Sequence, residues 1–525
     1  MTVSPFSLLF DTTTLSNGSH IFTAIAKNLL GNQSTSAPIT VTVSNSSGGS
    51  GMGPLTRSSN PRYFQDGTGK TIVLVGSHTW GNFTNIGLTD PPAEFDFAGY
   101  LDFMKAHHHN FLRLWVRVLP QPCCWNSSAG QFFQSPFPWQ RIGPGLASDG
   151  KLRFDLTQFD PAYFTRLRQR VVDAQAKGIY VAVMMFEGFQ LQQNRQSNDG
   201  YPLSGANNVN SIHDGYSGGT GGPNSNDLGW INSNNPAMLT IQETYVKKVI
   251  DTVHDLPNVL YEIADEAGAY STQWQNHFID FIHNYENITY GVKHPVGFTF
   301  QYDSGASVLD DSARDNNLLS SNADWISPRG PNQSGAEALS EGDVVPGNGA
   351  KVQIVDTDHN YYWVSMQTDG ANAVRNWAWK NFMVGSMPVF MDPYLLPWSG
   401  RNAPSGSTPD PQWDPIRVSM GAINDYANKM NLAKMTPQGN LSSTGYCLAD
   451  NSATGAEYLV YQSGGGQFTI NLSATNRLLN IEWYNPSSGT VTPGGTVTGG
   501  SSTQSFTPPF SGAAVLYLVD ALGHN

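Results

Sequence analysis

Acidic side chains stand at the ends of short apolar segments in this sequence. Glu266 ends the segment NVLYEIADE, and Asp356 and Asp358 lie near the end of the segment KVQIVDTDH. Two carboxyl groups that face each other across a cleft can cleave a glycosidic bond, because one protonates the leaving oxygen while the other attacks the anomeric carbon or activates water. We therefore predict Glu266, Asp356 and Asp358 as catalytic residues. Asp356 and Asp358 share one face of an ideal strand, so their spacing does not choose between them.

Aromatic, amide and charged side chains accompany these carboxylates. A sugar ring presents an apolar C–H face that stacks on indole or phenol, while its hydroxyls bond amides, carboxylates and guanidinium groups. We expect Arg113 to hold a catalytic carboxylate, and Glu187 has the alternative of a salt bridge behind the site. The residues predicted to bind substrate are His78, Trp80, Arg113, Trp115, Glu187, Asp265, Gln301, Tyr302, His359, Trp363 and Asp392. Trp125 is a further candidate for stacking on a sugar.

The segments that carry these residues alternate with helical patterns from about Pro54 onward. Such alternation is typical of βα units around a parallel sheet. Eight units predict an α/β protein with a (β/α)₈ TIM barrel, whose active site lies at the carboxyl ends of the strands; a doubly wound open sheet is the second choice. The predicted strands are TIVLVGSHTW, NFLRLWV, IYVAVMMFE, NVLYEIADE, HPVGFTF, ADWISP, KVQIVDTDH and MPVFMDPY.

The two ends of the chain have a different pattern. Residues 1–45 and 433–525 contain short strands of alternating polarity separated by Gly- and Asn-rich turns, which predicts β-sandwich structure. Residues 46–53, within the stretch NSSGGSGMG, have the composition of a flexible linker. The sequence therefore predicts a catalytic barrel over 54–432 between an N-terminal β fragment and a C-terminal β-sandwich.

Four motifs resemble known families. The stretch NVLYEIADEAG resembles the fourth-strand motif of retaining glycoside hydrolases with (β/α)₈ barrels, in which the motif ends in Asn-Glu and the Glu is the general acid/base. This resemblance implies that role for Glu266, although Asp265 replaces the Asn and strand seven ends in Asp-Thr-Asp in place of the usual Glu. NPRYFQDGTGKTIVLVGSHTW resembles the apiosidase-like and cellulase-like group of that superfamily. LLNIEWYNPSSGTV resembles the collagen-binding-like C-terminal domain, and the first 45 residues resemble part of a bacterial Ig-like domain.

Charge and composition limit the kinds of molecule that this protein is expected to bind. The net charge of −13 disfavours nucleic acid and anionic lipid, so we expect a carbohydrate substrate and no membrane span. Three cysteines are too few for a disulfide framework, and consecutive His107, His108 and His109 point in different directions on a helix, so we expect no metal and no cofactor. The polar, loop-rich composition favours a secreted protein, and oligomeric state is not predicted.

Other functions have weaker support. A metal-dependent hydrolase on the same barrel normally has an H-x-H motif after strand one, where GSHTW has one His, and neither G-x-S-x-G nor H-E-x-x-H occurs. The main alternative to a glycoside hydrolase is a non-catalytic carbohydrate-binding or adhesive protein on a barrel scaffold.

Overall fold

A computed structural model describes most of the chain, which divides into two compact units, Met1–Ser50 and Gly51–Asn525. The residues that it describes are 18–28, 31–43, 53–123, 130–215, 235–302, 311–329, 344–357, 363–394, 409 and 411–523. For a few of these, including 363–371, the backbone alone is described.

The first unit consists of two antiparallel strand pairs in its described part. Strand β1 pairs with β4, and β2 pairs with β3. Ile21, Ile25 and Ile39 are largely exposed, so these strands bury little apolar surface. The strands are β1 (Gly18–Phe22), β2 (Ile25–Lys27), β3 (Gln33–Thr35) and β4 (Ile39–Val43).

The second unit contains a closed barrel of eight parallel strands, which confirms the predicted fold. The strands are buried along their whole length because side chains fill the barrel interior on one face and helices cover the other. In order around the barrel they are β8 (Gly76–His78), β10 (Phe111–Leu114), β14 (Tyr180–Glu187), β15 (Val259–Asp265), β16 (Val296–Thr299), β17 (Trp325–Ser327), β18 (Val352–Asp356) and β19 (Met387–Met391).

Helices follow most barrel strands, and three of them begin at residues whose side chains cap the helix. Asp96 accepts a hydrogen bond from Gly99 N, Asp160 from Ala162 N and Asn235 from Met238 N, so backbone donors at three helix starts are satisfied. Pro161 and Pro236 occupy the first turns, where no backbone donor is needed. The helices are α1 (Phe97–Ala106), α2 (Pro161–Ala176), α3 (Phe189–Gln193), α4 (Pro236–Val253), α5 (Thr272–Tyr290), α6 (Asp311–Ser320), α7 (Trp363–Met383) and α8 (Asp414–Lys429).

The first predicted strand is divided in the structure, which corrects the prediction of one continuous segment from Thr71. Thr71–Ile72 belongs to a separate three-stranded sheet, and the barrel strand begins at Gly76. Between them, the Asn110 side chain accepts from Val75 N (2.9 Å) and donates to Val73 O (2.7 Å). An amide side chain thus satisfies backbone groups that a neighbouring strand would otherwise bond.

Smaller sheets decorate the barrel. β5, β6 and β7 form the three-stranded sheet, β9 pairs with β11, and β12 pairs with β13. Their bounds are β5 (Thr56–Arg57), β6 (Phe64–Gln65), β7 (Thr71–Ile72), β9 (Asn85–Gly87), β11 (Phe133–Ser135), β12 (Trp139–Leu146) and β13 (Leu152–Phe159).

The C-terminal part is a β-sandwich. A six-stranded sheet with the order β20-β21-β22-β27-β24-β25 packs on the pair β23-β26 around Tyr458, Phe468 and Trp483. The strands are β20 (Thr436–Pro437), β21 (Cys447–Asp450), β22 (Glu457–Gln462), β23 (Phe468–Ile470), β24 (Leu478–Asn485), β25 (Thr490–Thr498), β26 (Gln504–Phe506) and β27 (Ala514–Asp520).

The other face of the six-stranded sheet packs on the barrel helices. Along β22, Tyr458 and Val460 belong to the sandwich core, while Leu459 and Tyr461 belong to a core shared with the barrel. Because successive residues point to opposite faces, a strand buried on both faces needs the nearly continuous apolar run seen here. Trp379 of α7 stacks on Tyr461 with ring centroids 6.1 Å apart. Within the described residues, no helix has the length and apolar character that a membrane crossing requires.

Candidate active site

A buried guanidinium connects carboxylates from two sides of the barrel. Arg113, at the end of β10, donates from Nε to Glu262 Oε2 (2.9 Å) and also contacts Glu262 Oε1. Its two terminal nitrogens reach Asp265 Oδ1 and Asp356 Oδ2, each at 2.7 Å. Asp265 ends β15 and Asp356 ends β18, so Arg113 joins the ends of the fourth and seventh barrel strands.

The charge of Arg113 is fixed by its partners. Burial alone would lower the pKa of this guanidinium, but the charges of Glu262, Asp265 and Asp356 outweigh burial and raise the pKa well above its ordinary value. Arg113 therefore stays a cation throughout the pH range in which the protein is folded. Each of these carboxylates is at most 2% exposed, so the ion cluster is shielded from water.

Asn82 holds the backbone that carries Arg113. Its side chain donates to Arg113 O (2.7 Å) and accepts from Trp115 N (2.8 Å). Asn82 is itself fully buried, and its two bonds lie on either side of the last residue of β10. The loop after β8 therefore fixes the direction in which Arg113 enters the cluster.

His78 and Trp115 form one wall of the cluster. His78 Nε2 lies 2.7 Å from Asp356 Oδ2 without the alignment of a hydrogen bond. The imidazole lies parallel to the Trp115 indole, with centroids 5.1 Å apart, and the Arg113 guanidinium lies 4.7 Å from the centroid of the same indole. Trp115 is 1% exposed, so the structure gives it a packing role, and its predicted contact with a sugar stays a prediction.

A second ion pair lies beside the first. Glu187 ends β14, is fully buried, and contacts Arg117 Nη1 through Oε1. Among the described residues, Glu187 Oε2 has no hydrogen-bond partner. Burial raises the pKa of Glu187 to about 8. Arg117 opposes this rise and the charge of Asp265 adds to it. The Trp115 indole lies nearby and also lowers the pKa, although its N–H is not aligned for a hydrogen bond. Glu187 thus has the salt bridge that the sequence left as its alternative.

Glu266 has an unusual backbone and a more accessible side chain. It follows β15 directly with φ of +43°, a left-handed conformation that costs a non-glycine residue about 1 kcal/mol or more. Its carbonyl accepts from Gln192 Nε2 (2.7 Å), which also donates to Tyr302 O (2.8 Å). Glu266 is half-buried, whereas Asp265 and Asp356 are buried.

Gly188 completes the support around Glu266. Its backbone N donates to Asp265 O (2.6 Å), and a Cβ at this position would lie 2.5 Å from Ala267 Cα. Only a residue without a side chain allows the ends of β14 and β15 to approach this closely.

Two predicted substrate-binding residues are occupied by protein partners. Gln301 donates to Thr272 Oγ1 (2.8 Å) and to Gly268 O (3.2 Å), and it holds the loop after Glu266. Both oxygens of Asp392 accept from Arg417 at 2.7 Å, and both residues are fully buried. Their predicted contacts with substrate are untested, but their observed role is to hold the loops around the site.

Two aromatic candidates lie nearer the surface. Trp80 is half-buried and meets Trp115 edge-on, with centroids 6.5 Å apart. Tyr302 is half-buried next to Phe189, with centroids 6.5 Å apart. These rings are the candidates within the described residues for stacking on a sugar. Trp125, Asp358, His359 and the Trp363 side chain lie outside the described residues.

Sequence reasoning missed several members of the site. Glu262, Arg117, Gln192 and Arg417 each bond a predicted residue or its backbone. Glu262 had a signal, because it is a charged residue in the middle of the apolar strand VLYEIAD. Such a residue must find a buried partner. The described residues include no group of His, Cys, Asp or Glu arranged as a metal site.

The fold and the strand-end carboxylates define a (β/α)₈-barrel protein with a buried acidic cluster and a C-terminal β-sandwich. The same fold occurs in a solved "Glycoside hydrolase", with a TM-score of 0.53 and 14% identity over 90% of this chain and 97% of that one. It also occurs in a glycoside hydrolase family 5 structure from Bacteroides vulgatus, with a TM-score of 0.54 and 16% identity over 90% of this chain and 94% of that one.

Family models match two parts of the sequence. A domain of unknown function, DUF6298, matches residues 126–320, which include the ends of β14 and β15. A model for the collagen-binding domain of a collagenase matches residues 436–516, within the β-sandwich, as the sequence resemblance implied. No curated protein matches the chain in a sequence comparison.

Proposed function

We propose that this protein is a glycoside hydrolase that cleaves O-glycosidic bonds of a plant or microbial oligo- or polysaccharide, with Glu266 as general acid/base and Asp356 as nucleophile. One observation carries the proposal. Arg113 bonds the carboxylates that end the fourth and seventh barrel strands, and the more accessible Glu266 directly follows one of them. The solved barrels of the same fold that are named as glycoside hydrolases support the assignment.

Arg113 supports the role of Asp356. A nucleophilic carboxylate must be ionised and must keep one oxygen directed at the anomeric carbon. Arg113 stabilises the charge of Asp356 and holds Oδ2, and His78 lies against the same oxygen. These contacts hold the Asp356 carboxylate in one orientation.

The proposed reaction retains the configuration at the anomeric carbon. Asp356 forms a bond to that carbon while the bond to the leaving oxygen breaks, and Glu266 gives its proton to the leaving oxygen. Glu266 then removes a proton from water as the water attacks the glycosyl ester, so that Asp356 leaves as carboxylate. Trp80 and Tyr302 are proposed to stack on the sugar rings.

A panel of nitrophenyl pyranosides and furanosides, with plant and microbial polysaccharides, tests the proposal. Wild-type protein should release product from at least one member, and Glu266→Gln should lose about a hundredfold or more of that activity on substrates with poor leaving groups. The matched control is Glu94→Gln, since Glu94 is an exposed carboxyl on the same barrel. Equal activity of Glu266→Gln and wild type would reject the site.

Azide provides a second test of Glu266. A small anion can attack the glycosyl ester without a general base, so azide should restore turnover of a dinitrophenyl glycoside by Glu266→Ala and yield a glycosyl azide of retained configuration. Binding of a polysaccharide without any hydrolysis across the panel would instead identify a non-catalytic binding protein.

A further inference from the structure

The described part of the buried cluster has four carboxyls and two guanidinium groups. Arg113 contacts Glu262, Asp265 and Asp356, Arg117 contacts Glu187, and the His78 imidazole lies beside Asp356. These side chains are almost completely buried. Unbalanced charge in a buried site is costly, and a buried carboxyl commonly avoids this cost by keeping its proton.

The hydrogen bonds indicate which carboxyl keeps the proton. Both oxygens of Glu262 contact Arg113, while Asp265 and Asp356 each receive a charge-assisted bond of 2.7 Å from it. Glu187 contacts Arg117 through Oε1, and its Oε2 has no hydrogen-bond partner among the described residues. Glu187 is therefore the member of the cluster with a fully buried carboxyl oxygen that no described residue bonds, and this oxygen can carry a proton.

Glu187 also lies where its charge would matter. Glu187 and Asp265 are direct partners in the pairing of the parallel strands β14 and β15. The residue after Glu187 bonds Asp265 O, and Gln192 of the following helix bonds Glu266 O. A second negative charge at Glu187 would repel Asp265, and through it would displace the backbone that holds Glu266.

We propose that Glu187 holds a proton in the active protein and acts as a positioning residue for Glu266, so that the site keeps its geometry only while Glu187 is uncharged. The consequence for catalysis rests on the proposed glycoside hydrolase activity, whereas the proton itself does not.

The groups that face Glu187 set the pH at which the proton leaves. Arg117, from the segment after β10, and Asp265, from β15, act directly on Glu187. The other charged or titratable members of the cluster, bonded to one another, are Arg113 of β10, Glu262 of β15, Asp356 of β18 and His78 of β8. Burial raises the pKa of Glu187 to about 8, with Arg117 lowering it and Asp265 raising it. We therefore expect the proton to leave just above neutral pH.

Infrared spectroscopy of the full-length protein tests the proton directly. With ¹³C-labelled glutamate, the difference spectrum between about pH 6.5 and about pH 9.5 should show the loss of a protonated glutamate carbonyl band, because a group with a pKa near 8 is mostly ionised at the higher pH. Glu187→Gln should remove this signal, and Glu94→Gln should keep it. A wild-type spectrum without a protonated glutamate band near neutral pH would overturn the proposal, whether or not the protein hydrolyses any sugar.

A second variant serves if Glu187→Gln does not fold. Asp265→Asn removes the neighbouring negative charge, so the infrared titration of Glu187 should move to lower pH. An unchanged midpoint would contradict the coupling between Glu187 and Asp265.

The pH dependence of the free energy of unfolding should also reveal the proton on Glu187. Because the pKa of Glu187 is higher in the folded than in the unfolded state, the folded state binds more protons between about pH 5 and 8, and the free energy of unfolding falls as pH rises through this range. Glu187→Gln should remove that part of the slope. A slope equal to that of the wild type would reject the assignment to Glu187.

Kinetics test the positioning role. For a dinitrophenyl glycoside of the sugar found in the panel, the leaving group needs no proton, so hydrolysis of the glycosyl ester limits kcat and requires Glu266 as the ionised base. Wild-type kcat should fall about tenfold between about pH 7 and 9, as expected for one group with a pKa near 8, and kcat of Glu187→Gln should fall less than about twofold. A wild-type profile without this fall, or an identical fall in the variant, would exclude the positioning role.

Discussion

At the scale of single residues, Arg113 bonds three buried carboxylates, and its loss would leave them without this partner. Replacement by Gln should lower the free energy of unfolding by about 3–5 kcal/mol, because breaking a buried ion pair leaves uncompensated charge behind. Urea or guanidinium denaturation measures this loss.

The matched control is Arg168→Gln. Arg168 pairs with Asp255 at 2.7 Å, but both side chains are partly exposed, so the loss should be no more than about 1 kcal/mol. If the two variants lost the same stability, the cluster around Arg113 would not have the compact, water-shielded form described here.

Part of this cluster could be predicted from residues alone. Glu266, Asp265, Asp356 and Arg113 stand at strand ends, so a barrel with the correct strand order brings them to one face. The sequence could not predict that Glu262 and Arg117 would join them, because the partner of a buried charge depends on which side chain lies opposite it across the barrel. For the same reason, the sequence could not predict the buried ion pair between Asp392 and Arg417.

At the scale of elements, the ends of β14 and β15 position Glu266. Gly188→Ala should displace the Glu266 backbone, since the added Cβ would lie 2.6 Å from Glu266 O. We expect a loss of about 1–3 kcal/mol in stability and a 10- to 100-fold loss in kcat/KM for the sugar found in the panel. Denaturation and steady-state kinetics measure the two effects.

Gly464→Ala is the control for this substitution, because a Cβ at Gly464 meets no atom within 4 Å. Full activity in Gly188→Ala would show that the close approach of these two strand ends does not position Glu266.

Element prediction succeeded where periodicity is strong and failed where side chains replace strand pairing. The helices from Pro161 and Pro236 have apolar stripes and N-caps that a sequence reveals, and the helix from Thr272 has a similar stripe. The segment from Thr71 looked like one strand, yet Asn110 bonds the backbone in its middle and the barrel strand begins only at Gly76. A bond from a residue 35 positions away is invisible to local pattern.

At the scale of the whole molecule, the barrel and the β-sandwich share a core. Trp379 is fully buried and lies against Tyr461 and Tyr484 of the sandwich. Trp379→Ala should lower the free energy of unfolding by about 3–5 kcal/mol and should lower the thermal midpoints of both domains together. Calorimetry combined with thermal inactivation of the barrel checks this.

The control is Ile288→Ala on the barrel surface, where the side chain is 81% exposed and the expected change is within about 0.5 kcal/mol. An unchanged inactivation temperature in Trp379→Ala would show that the barrel does not depend on the sandwich for its stability.

Trapping of the glycosyl-enzyme tests the central claim most directly. A 2-deoxy-2-fluoro glycoside of the sugar found in the panel, with a dinitrophenyl leaving group, slows hydrolysis of the covalent intermediate more than its formation, so the ester accumulates and its peptide can be mapped by mass spectrometry. We expect one sugar per chain, attached to Asp356, with no attachment in Asp356→Asn. A sugar on another residue such as Asp358, or product of inverted configuration with no covalent label, would contradict the assignment of Asp356 as the nucleophile.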